Sequence, residues 1–197
     1  MLSASVDGWF TLPLTVPNYL AGFVGKPVLP LDAPEVSAAI ERVQKRTDAL
    51  LNCGGTHRPE WFHRKLGDIL YEGCGVARDE AGLLDALTKV RELREEFWRD
   101  VKVVGTGNRL NQELEKAGRV ADFIELGEVM ILDALDRRES AGAHFRNEYA
   151  TEAGEAKRND GDWCAVSAWE TRPDGTKVRH SEPLSFSLID LQVRDYR

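Results

Sequence analysis

The sequence predicts a mainly α protein: an antiparallel bundle of three to four helices with a small antiparallel β appendage at its C-terminal end. Three observations predict it. Between residues 34 and 136 apolar side chains recur at spacings of three, four and seven, the period of helices that each bury one stripe. The stretches are separated by glycine pairs, Gly73 with Gly75 and Gly105 with Gly107. Beyond residue 162 the pattern changes to short apolar runs flanking a Pro-Asp-Gly turn.

The elements follow in order. Residues 1–33 hold Pro13, Pro17, Pro27 and Pro30 among Trp9, Phe10, Leu12, Leu14, Tyr19 and Phe23. Prolines interrupt helices and remove ladder donors, so this apolar segment is expected to lie extended across another surface. A first helix is expected from Asp32 or Ala33, with Pro34 in its opening turn and Val36, Ile40, Val43 and Leu50 on one stripe. The second starts near Pro59, turns Phe62, Leu66, Ile69 and Leu70 inward, and stops around Gly73. Asp79 is placed to cap the third, whose stripe is Leu83, Leu87, Val90, Phe97 and Val101.

Asn108 or its neighbour caps the fourth helix. Its seam is Leu110, Leu114, Ala117, Ala121, Ile124, Ile131 and Leu135, widened by Phe123, Leu126 and Met130. Gly118 and Gly127 inside it cost helix propensity, and their missing side chains allow a neighbour close approach. Thr151 to Asp162 reads as a polar surface loop. Trp163 to Trp169, then Lys177 to His180 and Leu184 to Leu191, read as strands around the turn Arg172-Pro-Asp-Gly175. The domain organisation expected is 1–33 as an extended remnant, 34–146 as the bundle and 147–197 as loop and hairpin.

Composition narrows the function classes. A chain of 197 residues with 42% hydrophobic and 30% charged side chains has the makings of a globular protein with a sizeable core. A net charge of −7 argues against a nucleic-acid surface. No apolar run reaches the roughly 18 residues of a membrane span, and the first residues lack a signal-peptide pattern. Cys53, Cys74 and Cys164, odd in number and far apart, fit reduced thiols in a cytoplasmic protein.

Candidate chemistry is sparse. Gly105-x-Gly107 lacks the preceding strand and third glycine of a nucleotide loop, and a helix connector explains it better. Among His57, His63, His144 and His180 only the first two are near in sequence, across an expected loop-to-helix junction, which is poor metal spacing. Ser140, His144, Asp133 and Asp136 invite a triad reading, but triads depend on geometry in space. The structural alternative is favoured: a turn of small residues closing the bundle, with His144 and Arg146 bonding carbonyls or a neighbouring subunit. The charge run from Arg91 to Arg99 reads as a solvated helix face with i,i+4 pairs. No catalytic, cofactor-binding or metal-ligating residue is assigned.

Five collinear stretches carry a family resemblance. They are Asp7 to Pro13 with Asn18 to Ala21; His63 to Tyr71 with Gly75 to Arg78; Leu110 to Asp136; the Ser140-x-Gly142-x-His144 turn; and Asp195-Tyr-Arg197. Together they resemble the C-terminal region of the flavoprotein subunit of succinate dehydrogenases and fumarate reductases. Many members carry arginine before the turn's glycine and others cysteine; here Ala141 stands there, so a contact made by that side chain is absent.

The resemblance implies a spectrin-like bundle. It also implies FAD, often bound covalently through a histidine of the N-terminal domain, and hydride exchange with the C2–C3 bond of succinate with an arginine as proton carrier. Electrons would pass to an iron–sulfur subunit and usually a quinone in a membrane anchor, within the tricarboxylic acid cycle and electron transport. Such chemistry needs a flavin nitrogen held near the substrate carbon and cationic clamps on both carboxylates. None of those groups maps onto residues 1–197. The chain is therefore expected to be the structural and subunit-docking region, cytoplasmic and peripheral to the inner membrane through partner subunits. The rival expectation is a stand-alone interaction or assembly module, and a third is half of a split enzyme whose flavin domain is a separate chain.

Overall fold

Residues 5–192 are described by a computed structural model of the chain, and they fall into two units, 1–45 and 46–197. In the first, helix α1 spans Leu12–Ala21 and follows a π-helical stretch, Asp7–Thr11. This corrects the extended conformation expected within 1–33. Pro13 lies in the opening turn, directly after the π-helical stretch that runs into it, and costs the ladder one bond. Pro17 lies in the interior and removes a single bond, to the carbonyl four residues back. Two prolines four apart thus spare most of the ladder. No side chain of α1 is buried, and Trp9 and Tyr19 are 80% and 74% exposed.

Helix α2, Pro34–Asn52, begins at the proline as expected. Its stripe is only partly realised: Leu50 is buried, whereas Ile40 and Val43 are exposed.

In the second unit α3 (Pro59–Gly73), α4 (Glu80–Asp100) and α5 (Gln112–Asp136) pack pairwise into the bundle. Their stripes supply its core. Phe62 and Leu66 of α3 meet Leu83, Val90 and Phe97 of α4 and Ala117, Ala121, Ile124 and Ile131 of α5. The Phe62 and Phe97 rings meet edge to face, 5.2 Å between centroids, the geometry aromatic quadrupoles favour. Gly127 admits α3: a Cβ there would lie 3.3 Å from Leu66 and 3.4 Å from Leu70. Gly118 admits nothing of the kind, since its Cβ would project into open space.

The caps show how local chemistry sets the boundaries. Asp79 accepts from the Gly82 N–H at 2.8 Å, as expected. The cap of α5 is Asn111, accepting from Glu113 and Leu114 N–H at 3.1 Å each. The cap expected at Asn108 or its neighbour is therefore corrected, and Leu110, expected in the seam, stays outside the helix at 95% exposed. Asn111 wins because its amide also donates to the carbonyls of Val104 and Thr106, binding the loop to the helix start. Asn108 instead accepts from the Thr106 hydroxyl within the loop.

In the Arg91–Arg99 run, expected as a solvated face with i,i+4 pairs, Arg91, Arg94 and Glu96 pair across to other helices. Arg91 and Arg94 both reach Glu128 of α5, whose side chain is 4% exposed, and Lys65 of α3 donates to Glu96 at 2.7 Å. Burial pushes the Glu128 carboxyl up, but the two guanidinium groups outweigh it and hold its pKa below the usual range.

Another knot joins the loop before α3 to the end of α4. Gly55 N–H donates to Val101 O, His57 N–H to Asp100 O, and Lys102 N–H to His57 O. The Asp100 carboxylate accepts from His57 Nδ1 at 2.5 Å and from the Thr56 hydroxyl and N–H. These donors, His57 first, bring its pKa down to about 2.

Two-residue strands β1 (Ala77–Arg78), between α3 and α4, and β2 (Phe145–Arg146), after α5, pair in parallel, and a one-turn helix α6 (Asp160–Trp163) ends the polar loop. Strands β3 (Ala165–Thr171) and β4 (Lys177–Pro183) form the expected hairpin, in register from Ala165 opposite Pro183 to Thr171 opposite Lys177. Gly175 takes the positive φ of 85° its turn requires. The hairpin hangs on α5 by Trp169 Nε1 donating to Asp133 at 2.8 Å, Lys177 to Glu125 at 2.9 Å and Arg179 to Asp136 at 2.7 Å. The strand expected over Leu184 to Leu191 is absent: Leu184 N–H reaches Cys164 O, after which β3 has no backbone left to pair. Asp195 to Arg197 lie outside the described residues.

Two outcomes test this packing. Gly55→Ala places a Cβ 2.0 Å from the Asp100 backbone and lowers urea-unfolding stability by about 3 kcal/mol, whereas Gly118→Ala raises it by up to about 1 kcal/mol. Because the folded-state pKa of Asp100 is depressed, its contribution is present above pH 4 and lost as pH falls toward 2. In Asp100→Asn, unfolding midpoints followed between pH 5 and 2 lose that part of the pH dependence.

Candidate functional site

A cluster of charged and polar side chains is built where α5 ends. The Arg137 N–H closes the helix on Asp133 O at 3.0 Å, and a turn follows in which Ala141 and His144 exchange backbone bonds and Gly142 adopts φ 59°. Ser140 then holds the chain coming back. Its Oγ accepts from the Arg146 N–H at 2.8 Å and donates to the Arg146 carbonyl at 3.1 Å.

The Arg146 side chain, 2% exposed, runs inward beneath this turn. Nη1 donates to the Ala134 and Leu135 carbonyls at 2.7 and 3.3 Å, and Nε to Glu148 at 3.1 Å. Those carbonyls belong to the last turn of α5, where helical partners run out and the dipole favours a cation. Glu148 also accepts from the Glu80 N–H at the start of α4, which carries the cluster to a second helix. Burial raises the Glu148 carboxyl, and the Arg146 guanidinium with the backbone donors more than offsets it, leaving the pKa below the usual range.

Glu139, 2% exposed, accepts from Arg137 at 2.6 Å and from the Asn159 N–H at 2.8 Å. His144 sits half-buried between the Arg137 carbonyl at 3.0 Å and Arg78 at 3.2 Å, and Arg78 also donates to Gly75 O at 2.8 Å.

The triad candidates are thus brought near one another without forming a triad. Ser140 is engaged by the Arg146 backbone, both His144 nitrogens have other partners, Asp133 accepts from Trp169 and Asp136 pairs with Arg179. His144 and Arg146 both bond helix-end carbonyls, which is the structural reading. Arg78 and Glu139 were not singled out by the sequence. The only local signal for either is charge, and their partners lie 66 and 20 residues away.

The other histidines separate. His57 stacks on Trp61 with centroids 4.0 Å apart, His63 tilts against Phe123 at 5.6 Å, and His180 pairs with Glu170 at 2.8 Å. Among the described residues no three His, Cys, Asp or Glu side chains gather as a metal site would require.

The described residues do not fit FAD. A dinucleotide needs a parallel strand feeding a glycine turn into a helix. Here the parallel pairing is two residues long, and Gly105-x-Gly107 follows a helix. Gly107 answers to packing, because a Cβ there would lie 3.1 Å from Leu51.

The bundle also carries an apolar groove. The α3/α4 seam is bridged by Lys65 and Glu96, and the α4/α5 seam by Arg91, Arg94 and Glu128. Between α3 and α5, Lys116 pairs with Glu60 at 2.5 Å near the start of both helices, and beyond that pair the groove is lined by His63, Gly67 and Leu70 facing Phe123, Leu126 and Met130. The last three are 40%, 55% and 47% exposed.

The chain has relatives. A family model described as the fumarate reductase flavoprotein C-terminal region matches residues 63–196. The succinate dehydrogenase flavoprotein subunit of Bacillus subtilis is 26% identical over 81% of this chain and 26% of its own length. The fumarate reductase flavoprotein subunit of Haemophilus influenzae is 28% identical over 58% of this chain and 19% of its own. This chain therefore spans about a quarter or less of those relatives. In the structure of E. coli quinol fumarate reductase FrdA the same fold appears at a TM-score of 0.68 and 24% identity, covering 79% of this chain and 26% of that one.

Removing the buried guanidinium leaves two helix-end carbonyls without that donor and Glu148 with only the Glu80 N–H. Arg146→Ala is expected to lower unfolding stability by about 3–5 kcal/mol, against about 1–2 kcal/mol for Ser140→Ala, both measured by urea denaturation.

Proposed function

The chain belongs to the fumarate reductase flavoprotein C-terminal family, and from that premise we propose that it is the structural and subunit-docking region of a flavoprotein subunit interconverting succinate and fumarate. In this reading FAD and the catalytic groups are carried by the rest of that subunit, electrons pass to an iron–sulfur subunit, and the complex meets the membrane through other partners. No helix among the described residues is long and apolar enough to cross a membrane.

The observation that carries the reading is the apolar α3/α5 groove. Beyond the Lys116–Glu60 ion pair near the start of both helices, this seam presents Phe123, Leu126 and Met130 to solvent beside two glycines. A groove of that composition matches apolar side chains of another polypeptide, and it lacks the cationic clamps a dicarboxylate needs. A stand-alone assembly module is the second reading. It is favoured by the closed core around Phe62 and Phe97, which belongs wholly to the second unit.

Two measurements bear on it. Titration of the purified chain with FAD is expected to give no stoichiometric binding and no succinate oxidation; tight FAD binding would sink the proposal. Co-expressed with the flavin-bearing part of a family member, the chain is expected to co-purify as a complex. Leu126→Glu should weaken that complex at least tenfold while unfolding of the chain alone is unchanged, and a stand-alone module would form no complex.

A further inference from the structure

The partners of His144 leave its imidazole one protonation state. Nε2 lies 3.0 Å from the Arg137 carbonyl, which only accepts, so Nε2 carries the hydrogen. Nδ1 lies 3.2 Å from a guanidinium nitrogen of Arg78, which only donates, so Nδ1 is a bare acceptor. A second proton has only Nδ1 to bind. It would turn that acceptor into a donor aimed at another donor, and add a positive charge where Arg78, Arg137 and Arg146 already converge.

The carboxylates facing the site are committed. Glu139 is held by Arg137 and the Asn159 N–H, and Glu148 by Arg146 and the Glu80 N–H. From this geometry we infer that the Ser140–Arg146 turn is a pH-operated latch, closed while His144 is neutral and opened when its imidazole takes up a proton.

What opens is defined by what His144 secures. Its Nδ1 ties the turn to Arg78, and Ala77 and Arg78 pair with Phe145 and Arg146 directly after it. Its backbone closes the Ala141 bridge. Loss of the Arg78 contact therefore loosens both sides of the turn at once, while the helices keep their own core.

The sign follows from the group. Burial, then the neighbouring arginines, hold the His144 pKa below its ordinary 6.5. The closed turn is accordingly fully favoured above pH 6.5 and loses that advantage as pH falls from 6.5 through the lowered value.

The test is amide hydrogen exchange of the chain between pH 8 and 5, corrected for intrinsic rates and read at Ala141, His144 and Arg146. Protection is expected to fall by up to about tenfold per pH unit below 6.5, the slope of a single proton. In His144→Gln, which offers a donor and an acceptor but does not titrate, it should stay flat. Equal pH dependence in both proteins, or none in the wild type, overturns the latch. Imidazole 15N spectra of the wild type give a second reading that needs no variant. An Nε2–H tautomer titrating below 6.5 supports the latch, and an Nδ1–H tautomer or a pKa at or above 6.5 overturns it.

Discussion

A guanidinium that is 2% exposed and cannot lose its proton dictates the arrangement around it. Arg146 has to find acceptors, and it finds them in the last turn of α5, where two carbonyls have lost their helical partners, and in Glu148. That choice decides where the chain goes after the helix. It requires the Ser140 turn, which holds the Arg146 backbone, and through Glu148 it fixes the first N–H of α4. The two longest helices are thereby tied at one end by a single side chain. At the other end of α4 the Asp100 carboxylate plays the matching part, gathering Thr56 and His57 into the junction before α3.

Between these two knots the bundle is closed by shape and by charge, and unequally. Gly127 lets α3 and α5 approach, while Glu128, its neighbour in sequence, draws in Arg91 and Arg94 from α4. A buried carboxylate is costly alone, so the two arginines are required partners of this seam. Between α3 and α5 the Lys116–Glu60 pair holds only the start of the two helices, and beyond it the apolar lining faces solvent beside the tight contact at Gly127. The same helix α5 therefore supplies a sealed seam on one side and an open apolar one on the other.

The region resembling the family's Ser-x-Gly-x-His turn is the one where electrostatics is most constrained. Three arginines and one histidine meet two carboxylates there, and each has a named partner. Ala141 makes its contact through the backbone bridge to His144, so the turn closes without a longer side chain there.

Much of this was legible in the sequence by itself. The stripes of α3, α4 and α5, the Asp79 cap, the Asp-Gly turn of the hairpin and the carbonyl-bonding role of His144 and Arg146 all follow from residues within a few positions of one another. Helical period, capping and turn chemistry act over that range, and so does a family motif. Tertiary structure alone decided the rest. Asn111 caps α5 because loop carbonyls were within its reach, Arg91 and Arg94 turned toward α5 because Glu128 lay opposite, and residues 184–191 stayed irregular because β3 had ended. An ion pair or a strand needs a partner that the chain brings near only on folding, and the charge of a residue does not say which one it will meet.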